Sequence, residues 1–169
     1  MIAWATLGTA VVLGLTALFV WSQLRDARRT RHGQLIIEIS NQWTNAAASE
    51  SFALYAQYNP IDLVEKVFGP RKPGDAAPSK GDAQDYIRLS YWANLIESMG
   101  LLVKVGAITE DVVYHGWGGG ILTAWDQWEN AVLRLREYDD EPDTYQHFQE
   151  VAEAMQQISD RRKAELERG

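Results

Sequence analysis

The sequence predicts an all-α protein: an N-terminal transmembrane helix followed by an irregular cytoplasmic helical bundle of five or six helices. Three observations predict it. No charged residue occurs from Met1 to Leu24. Downstream, apolar residues recur at helical spacing, and nothing alternates with the period of two that a half-buried strand shows. Helix-start signals, Asn59-Pro60 and Thr109, stand directly before apolar-periodic segments.

The averages conceal this division. The chain has 169 residues, a net charge of -7 and a mean hydropathy of -0.28, values that suit a soluble domain. An acidic chain lacks the cationic surface that general nucleic-acid binding needs, so no nucleic-acid partner is expected. With Cys 0 there is no disulfide framework, thiol nucleophile or cysteine metal site.

The first element is the apolar segment Ile2–Val20, whose polar side chains are Thr6, Thr9 and Thr16. About 20 apolar residues at ~1.5 Å each match ~30 Å of hydrocarbon. Trp4 and Trp21 stand near its ends, as interfacial indoles do. A cleaved signal peptide would need a basic start and a small-residue cleavage site, and neither is present. Thr6, Ala10 and Gly14 form a stripe of small residues that would let another membrane helix approach closely. Residues 25–31 then form a basic collar, with Arg25, Arg28, Arg29 and Arg31 against Asp26. Positive flanks stay in the cytoplasm and can meet anionic headgroups. The expectation is a single-pass inner-membrane protein, N-terminus outside, with the bilayer as a partner. Residues 32–169 hold 12 basic and 22 acidic side chains, a formal -10, so this domain is expected to stand off an anionic leaflet.

Within residues 32–158 the helices follow in order. Residues 32–58 carry apolar points at Leu35, Ile36, Ile39, Trp43, Leu54 and Tyr58, with a kink or break expected near the polar Ala46–Ser51 stretch. Asn59 caps and Pro60 opens a short helix that Gly69 closes. Residues 69–81 are a Pro/Gly-rich loop. Residues 83–104 are expected as one central helix with two apolar seams, through Tyr86, Leu89, Ala93, Ile96, Gly100 and Val103 and through Trp92, Leu95, Met99 and Leu102. Thr109 caps a short helix to about His115, and Gly116–Gly120 is expected to be a connection. Ile121, Trp125, Trp128, Val132 and Leu135 line the next helix. After the acidic turn Tyr138–Asp143, Phe148, Val151, Met155 and Ile158 line the last one. Residues 159–169 are almost wholly charged and are expected to fray.

No constellation for catalysis emerges. Asp111/His115 and Asp143/His147 are i,i+4 pairs without a third ligand, which favours a surface reading over a metal site or an oriented base. The glycine run lacks the lysine and hydroxyl of a phosphate loop. No catalytic residue, metal ligand or cofactor is expected, and no enzyme. Seven tryptophans are many for this length. Most serve core packing, and exposed ones mark a protein interface, with Trp43 and Trp117 the candidates.

The segment Leu95–Asp111 (LIESMGLLVKVGAITED), Trp125 after Ile-Leu-Thr-Ala, Arg136 and the Tyr145-x-x-Phe148 helix stand in one order. In that order the chain, over roughly residues 5–158, resembles a bacterial family known as domain of unknown function 4760. The glycine run and the 69–81 loop depart from its pattern. The resemblance implies one membrane helix with a cytoplasmic helical domain, and no catalytic residues. The function expected is a membrane-anchored, non-catalytic protein-interaction module with a protein partner. The alternatives are an accessory subunit packed in a larger membrane complex, a homo-oligomer among them, and a membrane-tethered stress or phage-defence effector.

Overall fold

The computed structural model describes Gln23, Thr30, Arg31 and residues 33–55, 57–70 and 77–169. Met1–Glu38 and Ile39–Gly169 are separate compact units. Among the described residues there is no strand, and the domain is built from six helices: α1 (Ala46–Tyr55), α2 (Pro60–Phe68), α3 (Lys80–Leu89), α4 (Tyr91–Lys104), α5 (Glu110–Asp139) and α6 (Gln146–Leu166). A further helical stretch runs through residues 33–43.

The expected transmembrane helix is corrected here. Among the described residues no helix is long and apolar enough to cross a membrane. The described helices carry polar and charged side chains along their length. Even α5, at 30 residues the longest, carries Glu110, Asp111, Asp126, Glu129 and Arg134 along its length. Such charges oppose burial in hydrocarbon. The single-pass inner-membrane placement, with its outside N-terminus and cytoplasmic domain, is corrected by the same finding. Ile2–Val20, where that span was placed, lies outside the described residues, as do Trp4, Trp21, Thr6, Ala10, Gly14, Arg25, Arg28 and Arg29.

Several expected boundaries differ, two of them in the central helices. Residues 83–104 are two helices that meet at Ser90. The cause is tertiary. The Leu89 carbonyl accepts from Ser51 Oγ at 3.1 Å and from the Tyr55 hydroxyl at 3.4 Å, and Ser90 Oγ donates back to the Ile87 carbonyl at 3.1 Å. Hydroxyls inserted into a helical ladder bend it. Conversely, Gly116–Gly120 is no connection but lies inside α5. Each mid-helix glycine costs roughly 0.5–1 kcal/mol. Val113, Gly118, Ile121, Ala124, Trp128, Val132 and Leu135 are buried at helical spacing along α5, and that burial carries the helix across the run.

Caps follow the local sequence. Asn59 accepts from Ile61 N at 3.3 Å with Pro60 in the first turn, and Thr109 accepts from Val112 N at 3.4 Å. Ser79 and Asp82 form a reciprocal capping box at α3, so the loop after Gly69 ends at Ser79. The first break, expected within Ala46–Ser51, falls earlier at Thr44-Asn45, where Asn45 Oδ1 accepts from Ala48 N at 2.8 Å. The charged segment expected to fray is helical to Leu166.

The core lies where α4, α5 and α6 meet, with α2 against α5. Trp128, Phe148, Ile96, Met99, Ile121 and Met155 are fully buried there. α6 has no cap from its own N-cap residue, Tyr145. Instead Glu97 of α4 accepts from Phe148 N at 2.7 Å, a carboxylate on the positive end of a neighbouring helix. At the same contact a Cβ on Gly100 would stand 2.1 Å from the His147 carbonyl oxygen, so only glycine permits this approach. Arg136 secures the turn before α6, donating to the Thr144 carbonyl and to Gln149 Oε1, both at 2.9 Å.

Candidate functional site

α1 is fastened in an unusual way. It buries only Ala48 and Ser51. Polar contacts hold it instead. Asn45 Nδ2 donates to the Tyr91 hydroxyl at 2.7 Å, the Tyr91 hydroxyl donates to the Gln42 carbonyl at 2.9 Å, and Trp92 Nε1 donates to the Ala48 carbonyl at 3.1 Å. These bonds seat α1 on α4, and those of Ser51 and Tyr55 to the Leu89 carbonyl seat it on α3. They leave the space between α1 and α5 open as a groove of about 510 Å³.

Trp43, Ala48, Phe52 and Trp92 line the groove on one side, and Gly119, Gly120, Thr123 and Ala124 on the other. Its volume falls within the ~300–1,000 Å³ usual for binding cavities. The lining is mainly aromatic and small, and mostly apolar, with Ser49, Thr123 and Gln127 as its polar side chains besides the Tyr55 hydroxyl. Phe52 is 70% exposed at the lip.

The glycine run explains the shape. A Cβ on Gly120 would meet Trp43 Cζ2 at 2.7 Å, so the bare backbone receives that indole. A Cβ on Gly119 would meet nothing within 4 Å. Internal packing therefore requires glycine at 120 and not at 119.

Trp43 and Trp117, the two candidate interface residues, come together at 6.3 Å between ring centroids. Both are half-buried. Trp43 lines the groove and meets Trp92 edge-on at 4.1 Å, whereas Trp117 packs on Trp43 and is not among the lining residues. Phe52, Trp92 and Gly119 were missed by sequence reasoning. The available signal was a phenylalanine in the otherwise polar stretch that follows Trp43. Of the basic collar, Arg31 is described, and it is exposed.

At the inner end of the groove the Tyr55 hydroxyl accepts from Trp128 Nε1 at 2.6 Å. Burial pushes its phenol up to about 12, against the lowering effect of the Trp128 hydrogen bond, so it stays neutral. Among the described residues no buried side-chain nitrogen or oxygen lacks a partner. The groove thus presents satisfied polar atoms and apolar surface.

The histidine pairs do not assemble into a site. His115 Nε2 is 3.9 Å from Asp111 and 3.0 Å from Arg162 Nη2, all on the surface. His147 pairs with Glu150 at 3.1 Å rather than with Asp143. Among the described residues no group of three His, Asp or Glu side chains is arranged to hold a metal.

No curated protein and no solved structure matches the chain. One family model does, over residues 5–155. That range contains the residues that dock α6, Glu97, Gly100, Arg136 and Phe148, and both walls of the groove. The chain belongs to the family described as Domain of unknown function (DUF4760).

Proposed function

We propose that this chain is a non-catalytic protein-interaction module whose α1–α5 groove docks a helix of a partner protein. The observation that carries the reading is the apolar groove itself, with Trp43 and Trp92 in its wall and Phe52 exposed at its lip. Tryptophan and other aromatics in a pocket are the usual anchors of protein interfaces. Strand addition is disfavoured, because the groove walls are helices whose backbone groups are already bonded within the helix. An amphipathic helix brings apolar side chains and no unpaired backbone, which suits the satisfied polar atoms of the groove.

A photo-reactive phenylalanine analogue at position 52 of the full chain tests the reading in cells. A covalent adduct to a protein of defined mass, abolished by Gly119→Leu, is expected. Absence of any protein adduct, or an adduct indifferent to Gly119→Leu, contradicts it.

A further inference from the structure

The groove has a neighbour. Tyr55 and Gln127 also line a second cavity, of about 420 Å³, bounded by Asn59, Asp126 and Asn130. The two cavities therefore adjoin along Tyr55 and Gln127, an apolar one and a polar one side by side. Asp126 is the single charged side chain in the lining of either. It is exposed and forms no ion pair among the described residues. Elsewhere on the domain, carboxylates within reach of a basic side chain pair with it, as Asp82 does with Lys66, Glu65 with Arg134 and Glu150 with Lys104; the Asp126 carboxylate, in the lining of a cavity, has no such neighbour among the described residues. Asp126 also sits in a domain of 12 basic and 22 acidic residues, whose field favours a cationic visitor.

We infer that the docked helix is cationic and amphipathic: its apolar stripe fills the Trp43/Phe52/Trp92 section, and a lysine or arginine at one end of that stripe meets Asp126. The inference rests on the groove being a helix-docking site. Charge complementarity selects the occupant. A second copy of this chain would bring its own Asp126 and its own excess of acid, and like charges across an interface disfavour association. A purely apolar small molecule would leave the polar cavity unused. The carboxylate contributes selectivity and encounter rate more than raw affinity, because the polar cavity is open to water.

Two fluorescein-labelled helical peptides test this with the full chain. Both carry the same leucine/alanine stripe, and they differ only in lysines or glutamates in the last turn. The lysine peptide should bind roughly threefold to tenfold more tightly, and the margin should shrink as salt shortens the Debye length. Asp126→Asn should erase the margin while both peptides still bind. Equal affinity of the two peptides for the wild-type chain overturns the charge assignment. It leaves the groove reading intact if Phe52→Ser weakens both. Binding of neither peptide overturns the groove reading as well, and concentration-dependent self-association abolished by Phe52→Ser overturns the choice of occupant in favour of a second copy.

Discussion

Gly100 and Gly119 both stand inside helices, and their surroundings are opposite. At the α4–α6 seam the backbone of His147 occupies the place where a Gly100 side chain would be, and Glu97 completes the contact by capping α6. At the α1–α5 seam the space beyond Gly119 is empty, and α1 is held by hydrogen bonds to α3 and α4 and, at the inner end of the seam, by Trp128 of α5 donating to Tyr55. The first glycine closes a contact. The second leaves one open. A mid-helix glycine carries the same propensity cost in both places. At Gly100 the fold recovers that cost through packing, and at Gly119 it recovers nothing internal.

The largest expected effect comes from forcing the closed seam apart. Gly100→Ala should destabilise the chain by about 2–4 kcal/mol, since the new methyl meets backbone rather than a movable side chain. Urea unfolding measures this, and a loss below about 0.5 kcal/mol would mean that the seam is as loose as the groove. Next in size, Glu97→Ala should cost about 1–2 kcal/mol, because it removes the tertiary cap and strands the Phe148 N–H. Hydrogen exchange should then rise first in the initial turn of α6. Uniform exchange through α6 would place the capping energy elsewhere.

Local and long-range causes also separate what the sequence reveals from what it conceals. Asn59-Pro60 and Thr109 were legible because a cap acts within three residues of itself. The order of Leu95–Asp111, Trp125, Arg136 and Phe148 marked the family, and the structure shows these segments docking α6. The break at Ser90 was not legible, because the hydroxyls that cause it belong to Ser51 and Tyr55 in another helix. The continuity of α5 was concealed for a related reason. Five residues containing four glycines read locally as a connection, and only the burial on either side and the Trp43 ring against Gly120 keep them helical. Of the groove, Trp43 was legible as an aromatic without a clear core role. Phe52 and Gly119 were not, because their significance is the space between them.

The smallest effect concerns a surface cap that closes on itself, unlike that of α6. Lys66, and after it Ser79, hold the Asp82 carboxyl down at about 2. A carboxyl depressed below its unfolded value of ~3.9 adds stability above that value and loses it as pH falls through the folded value. Wild type and Asp82→Asn should therefore differ in melting temperature near about pH 6 and converge as the pH approaches about 2. A difference that persists in acid would assign the effect to packing.

The central claim is that α5 faces an open, ligand-ready groove at Gly119, and one variant tests it most directly. In Gly119→Leu the side chain enters space that holds no protein atom within 4 Å of its Cβ. Helix propensity alone should keep stability equal or raise it by about 0.5–1 kcal/mol. Paired urea unfolding and titration with the lysine-tipped peptide on the full chain should give that stability together with loss of peptide binding. A destabilised Gly119→Leu chain, or one that binds the peptide as well as wild type, would contradict the account.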